Sequence, residues 1–416
     1  MNKRFQNDAK ATLRLNSAIN NIRHQGFKAW IYKLWTVILH KYFSFLYHKR
    51  NFRLKFLNNK CPVHYGVWGF RNAGDTVLYK EVENCFQKKV FRRRDITKGE
   101  IVKTEIDKIN SRNSFLVLGG GGLFLKDSNP NQNSNWQFNI SVENLSKINI
   151  PVVLFAIGYN RFRNQEDFDE LFKKHLLNTI EKSVFVGLRN QGSINAIKAY
   201  LPDHLHEKLV FQPCPTTIIK YSNPKFYKEI DINNSKNKII AINIAADRLN
   251  KRFDGREDAI ISSIVKLAGD YRSKGWKVLF VGHTLQDKII KSYINNDFKY
   301  VDLTFKSTKR ICSFYSKVAL TIGMRGHAQM IPFGLGNPII SLISHDKLKW
   351  FLDDIGHPEW GVEIKDEAME ANLQQKINMI IENYQDIRIQ IKNAQENLKR
   401  ITDKNIDDIY KKINKQ

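Results

Sequence analysis

Apolar and polar positions along this chain fall into one pattern written twice. After Pro62, the strand-like run "CPVHYGVWGF" leads into the glycine-containing turn "RNAGDT" and the helical stretch "VLYKEVENCF". "SFLVLGGGGLF" is a buried strand running into four glycines, and "IPVVLFAIGYN" is another strand. "SVFVGLRNQGSINAIKAYL" reads as strand, turn and helix, and "LVFQPCPT" as a short closing strand. Short apolar runs bounded by glycine and separated by helices predict parallel βαβ units. A polar stretch, 221–238, reads as a linker, and the pattern then restarts. "IIAINIAAD", "WKVLFVGHT" and "NPIISLIS" are strands, "GREDAIISSIVKLAGDYRSKG" is a helix, and "KVALTIGMRGHAQMIPFGLG" is strand, turn and helix. The expected fold class is α/β, with two Rossmann-like domains facing a cleft, because open parallel sheets bind ligands at the carboxyl ends of their strands. The expected divisions are an extension over 1–58, domains over 59–225 and 226–364, and a charged helical tail over 365–416.

The extension has a different texture. Residues 8–57 read as helix, and "FKAWIYKLWTVILHKYFSFLYHKRNFRLKF" crowds aromatic and aliphatic residues among Lys and Arg. Residues 1–60 hold thirteen Lys or Arg and a single acid, Asp8, so nearly half of the chain's net charge of +26 sits there. Apolar bodies with cationic heads suit the interface of an anionic membrane, and a helix lying on the cytoplasmic face is expected. A basic helix on the protein body or on a partner is the other reading. No apolar run approaches the ~18–20 residues that span a bilayer. The start "MNKRFQNDAK" carries no signal-peptide pattern, and Cys61, Cys85, Cys214 and Cys312 form no C-x-x-C pair. Reduced cytoplasmic thiols are therefore expected, with neither a disulfide framework nor a metal site.

The turn "GMRGHA" is the sharpest chemical feature. A buried strand ends at Gly323 and a helix starts near Gly326, so unpaired N–H groups and the positive helix end invite an anion. Arg325 adds a fork matched to phosphate or carboxylate, and His327 adds a hydrogen-bond donor or general acid. Gly119, Gly120, Gly121 and Gly122 allow close approach to the backbone. They form neither a dinucleotide-binding fingerprint nor a Walker loop. Asn72, Asp75, Arg189 and His283 also follow strands and face the same cleft if the sheets are parallel. Each has a structural reading as well: a salt bridge for either arginine, a turn cap for His327, a helix N-cap for Asp75.

Taken in order, the motifs resemble those of the polysaccharide pyruvyl transferase family. They stand here as "NAGD" (72–75), "GGGG" (119–122), "RNQGS" (189–193), "QPCPT" (212–216), "RGHAQMIPFGLGNPIISL" (325–342) and "SHDKLKWFLDDIG" (344–356). "QPCPT" departs from the acid-containing form of its motif. The resemblance spans roughly 64–360. It implies a glycosyltransferase-B-like fold with an N-terminal acceptor domain and a C-terminal donor domain. It also implies phosphoenolpyruvate as co-substrate, with no cofactor. The pyruvyl group would pass to hydroxyls of a sugar, in a cell-surface polysaccharide or its lipid-linked precursor. Arg189, Arg325 and His327 would bind the donor phosphate, with His327 and Asp75 catalytic. A glycosyltransferase of the same architecture using a nucleotide sugar is the alternative. A non-catalytic membrane-bound binding protein is disfavoured by the arginines and His327, and nucleic-acid binding by the absence of a reader motif.

Overall fold

The computed structural model describes residues 60–415, apart from 70, 87–89, 127 and 164. The helix and membrane surface expected of residues 1–58 lie outside the described residues. Twelve described strands form two six-stranded sheets with every pairing parallel.

The first sheet holds β1 (Cys61–Gly66), β2 (Arg92–Asp95), β3 (Asn113–Phe124), β4 (Val152–Tyr159), β5 (Ser183–Leu188) and β6 (Leu209–Phe211), in the order β2-β1-β3-β4-β5-β6. The second holds β7 (Ile239–Asn243), β8 (Lys277–Gly282), β9 (Lys299–Asp302), β10 (Leu320–Gly323), β11 (Ile339–Ile343) and β12 (Gly361–Glu363), in the order β12-β11-β10-β7-β8-β9. Central strands such as "VVLFAIGY" and "IISLI" are buried at every position. That is the expected texture of a parallel sheet covered on both faces. Both orders reverse once, between β1 and β3 in the first sheet and between β7 and β10 in the second. Such reversals open a crevice at the carboxyl ends of the strands, where ligands bind.

The glycine run, expected to begin where its strand ends, lies inside β3 and pairs with β4 through Gly119 and Gly121. Gly119 (φ 142°) and Gly121 (φ 100°) take conformations that L side chains rarely adopt. The register slips between Gly121 and Phe124.

The tail consists of two helices, Met369–Glu382 and Tyr384–Ile413. The second ties the halves together. Near its start the Tyr384 hydroxyl donates to the Ala319 carbonyl, 3.1 Å away. Towards its end Asn405 donates to the Phe211 carbonyl at 2.9 Å, and the Tyr410 ring meets Phe86 and Phe115. No helix among the described residues is long and apolar enough to cross a membrane.

Candidate functional site

Between the two switch points lies a cleft of about 540 Å³, lined by the end of β3 and the loops that follow β1, β2, β3, β4 and β5 on one side and β7, β8, β10 and β11 on the other. Asn72, Asp75, Gly121, Gly122, Arg189, His283, Arg325 and His327 all line it. Gly119 and Gly120, expected there too, turn to the interior instead. A Cβ on Gly119 would stand 2.1 Å from the Phe155 carbonyl oxygen, and one on Gly120 would meet Leu78 at 3.0 Å.

Asn72, not Asp75, caps the helix Ala73–Cys85: its side chain accepts from the Gly74 N–H at 2.8 Å. Asp75 sits in the first turn of that helix, with no hydrogen bond to a described residue, and lines the cleft. Burial lifts its pKa to about 6, against the pull of Lys347, Arg189 and Arg325.

Four residues of the "RNQGS" motif have assignable places. Asn190 caps the helix Gln191–Lys198 by accepting from the Ser193 N–H at 2.7 Å. Ser193 accepts from the Tyr159 N–H at 2.9 Å, which fixes that helix to β4. Gly192 gives room to Trp350 of the other half, since a Cβ there would lie 2.0 Å from its ring. Arg189 lines the cleft. It is 7% exposed, its guanidinium lies on the Gly158 backbone, and its Nε has no hydrogen-bond partner. Arg189 forms no ion pair with a described carboxylate. Burial lowers its pKa, partly offset by Cys214, Asp75 and Asp354. Buried charges are ordinarily paired, because desolvation is costly.

Arg325 is placed differently. Its Nε and Nη2 bond Asp287, Nη2 also reaches Thr284 at 2.9 Å, and Asp247 lies 2.5 Å away. Burial opposes its charge, but the two carboxylates outweigh burial and raise its pKa. Asp247 also pairs with Arg248 and Arg252, and despite burial its carboxyl is held low by Arg325 and Arg252. The backbone N–H of Arg325 donates to Asn243 Oδ1 at 3.2 Å, which anchors the turn to the end of β7.

His327 is the second residue of the helix Gly326–Gly334 and packs against Gly74, with Nε2 3.7 Å from Cys214 Sγ. Burial, then Arg189, His283 and Lys347, lower its pKa well below the usual histidine value, so the free site holds a neutral imidazole. His283 accepts or donates at Nε2 to the Tyr315 hydroxyl at 2.6 Å, and its backbone carbonyl accepts from the Ala73 N–H. Burial brings its pKa to about 4.

Local sequence did not single out Lys347. Its ammonium donates to Asn160 Oδ1 at 2.8 Å and forms no ion pair with a described carboxylate. Burial, Arg189 and Arg252 lower its pKa well below the lysine norm. Among the described residues the site therefore offers two cations without an ion-pair partner, Arg189 from the first half and Lys347 from the second. Among the described residues no cluster of His, Cys, Asp or Glu forms a metal site.

The chain matches the family model described as polysaccharide pyruvyl transferase over residues 54–347. No curated protein matches it. Among solved structures, a glycosyltransferase from Rickettsia africae ESF-5 is similar at 13% identity, covering 86% of this chain and 100% of that one, with a TM-score of 0.50. Anabaena HepE, solved in complex with UDP and glucose, is 10% identical over 86% of this chain and 100% of that one, at a TM-score of 0.49. UDP-GlcNAc 2-epimerase from Neisseria meningitidis, bound to UDP-GlcNAc, is 14% identical over 82% and 99%, at 0.47. At these identities the likeness concerns the fold, two Rossmann-like halves in the glycosyltransferase-B manner.

Proposed function

The chain belongs to the polysaccharide pyruvyl transferase family, and from that premise we propose that it moves the pyruvyl group of phosphoenolpyruvate onto sugar hydroxyls and releases phosphate. The observation that carries this reading is Arg189, a buried guanidinium at the wall of the cleft with no counter-ion among the described residues. A free-standing buried cation is costly, and a bound anion relieves the cost. Phosphoenolpyruvate has two anionic ends. Arg189 takes the phosphate, aided by Arg325 and by the N-terminal end of the 326–334 helix. Lys347 takes the carboxylate.

Donor binding changes the protonation of the site. Arg189 and Lys347 depress His327 in the free enzyme. A bound trianion reverses their effect, so His327 gains a proton in the complex. Protonation of the methylene carbon by His327 leaves an oxocarbenium-like centre at C2. A sugar hydroxyl attacks there, losing its proton to Asp75, and a second hydroxyl completes the ketal as the C–O bond to phosphate breaks. Of the two hydroxyl protons, one replaces that spent on the methyl group and the other leaves with phosphate.

The basic aromatic segment 1–58 supports a position on the anionic inner face of the cell membrane, beside lipid-linked acceptors. Flotation with anionic liposomes, comparing full-length protein with a chain starting at Asn59, tests that position. The donor is tested by thermal shift: phosphoenolpyruvate raises the melting temperature and nucleotide sugars do not. The opposite result favours a glycosyltransferase.

A further inference from the structure

Three buried nitrogens of residues lining the cleft lack a hydrogen-bond partner among the described residues: Arg189 Nε, His283 Nδ1 and His345 Nε2. Arg189 meets the donor phosphate in the proposed reaction. The tautomer of His283 is open, because the Tyr315 hydroxyl can serve its Nε2 either way. That of His345 is not.

His345 stands two residues past β11 and is 1% exposed. On its inner edge, Arg252 Nη1 donates to Ser344 Oγ at 2.9 Å and lies 3.4 Å from His345 Nδ1. Ser344 Oγ is 2.9 Å from the same Nδ1. A guanidinium only donates, and a hydroxyl that accepts from it keeps its own proton for the next acceptor. Nδ1 therefore accepts from both neighbours, and the ring proton sits on Nε2. Burial, then Lys347 and Arg252, lower the pKa well below the usual histidine value, so the ring stays neutral. His345 is a fixed N–H donor with no acceptor among the described residues.

The ring is also held in place across the two halves. Three consecutive residues clasp the loop that follows β4. His345 stacks on Phe162 with centroids 4.7 Å apart, Asp346 accepts from Arg163 Nε at 2.8 Å, and Lys347 Nζ donates to Asn160 Oδ1 at 2.8 Å. The clasp sets His345 and the Lys347 ammonium in one stretch of the cleft wall. A buried donor left unsatisfied is costly, and a ligand oxygen removes the cost.

We propose that His345 is a specificity-determining residue, whose Nε2–H donates to one carboxylate oxygen of the donor while Lys347 meets the other. The inference rests on the donor reading above and adds to it the group that selects an enol phosphate carrying an acid. A carboxylate accepts at both oxygens, so a neutral N–H and an ammonium side by side suit it. The phosphate end is served elsewhere, by Arg189, Arg325 and the start of the 326–334 helix.

The test is calorimetric titration of full-length protein with phosphoenolpyruvate and with vinyl phosphate, the same enol phosphate without its carboxylate. Wild type should bind phosphoenolpyruvate the more tightly. His345→Phe keeps a ring against Phe162 but has no N–H. It should weaken phosphoenolpyruvate binding about tenfold, the scale of one hydrogen bond to a charged group, and leave vinyl phosphate binding unchanged. If the phenylalanine variant does not fold, His345→Asn, too short to reach the Nε2 position, takes its place and is read in the same way. An equal loss of both ligands marks a structural role and overturns the inference. Undiminished phosphoenolpyruvate binding in the variant, or a wild type that binds the two ligands equally, overturns it as well. A wild type that binds neither ligand is a different result: it strikes the donor reading, and the inference with it.

Discussion

The imidazole of His327, carried by the second half, rests on Gly74 of the first: a Cβ added at Gly74 would stand 2.5 Å from the His327 Cβ. The catalytic candidate thus reaches its place only where the opposite helix has no side chain. Gly74 has an ordinary helical conformation, so Gly74→Ala tests the contact and not the backbone. Overpacking of this kind costs about 1–3 kcal/mol. The variant should release phosphate from phosphoenolpyruvate at least tenfold more slowly than wild type while keeping its far-ultraviolet circular dichroism.

Arg189→Met should separate stability from activity. The substitution removes a buried charge that has no partner, and leaving such a group unsatisfied costs about 1–3 kcal/mol. The ligand-free variant is expected to melt at a higher temperature than wild type, yet to show no stabilisation by phosphoenolpyruvate. Parallel melting curves with and without donor check both halves of the statement.

Asp75 gives a pH signature. Its carboxyl titrates near 6 in the folded chain against an unperturbed 3.8. The folded state holds this proton more tightly, so stability from this group is greatest below about pH 4 and is lost as pH rises through 6. Asp75→Asn should therefore stabilise the protein above pH 6 and make little difference near pH 4. Melting temperatures of both proteins across that range decide it, and a constant difference would contradict the assignment.

His327→Ala should lower phosphate release about a hundredfold or more, the usual scale for losing a positioned acid. Melting and circular dichroism should show a folded protein. Turnover near the wild-type rate would remove His327 from the chemistry.

Much of the framework was legible in the sequence because central parallel strands are continuous apolar runs, as in "VVLFAIGY". Of the four edge strands only β6, "LVF", was. β2 is "RRRD", β9 "KYVD" and β12 "GVE", none with the apolar run that marks a buried strand. At the site, residues placed directly after central strands could be gathered from one dimension, and Arg189, Arg325 and His327 were. Their electrostatic company could not. Asp247 and Asp287, which occupy much of Arg325, come from two other loops, and Lys347 meets Asn160 across 187 positions of chain. Asp75 looked as fit to cap its helix as to serve the cleft, and only the Asn72–Gly74 hydrogen bond separates those roles. Nothing in "RNQGS" announces that Gly192 makes room for the Trp350 ring from the far half.

The most direct measurement is a crystal structure of the protein with phosphoenolpyruvate. The account predicts the donor in the cleft, with phosphate oxygens on the Arg189 guanidinium, the carboxylate at Lys347 Nζ, and His327 within reach of the methylene carbon. A cleft that leaves phosphoenolpyruvate unbound, or a donor bound away from Arg189, would contradict it.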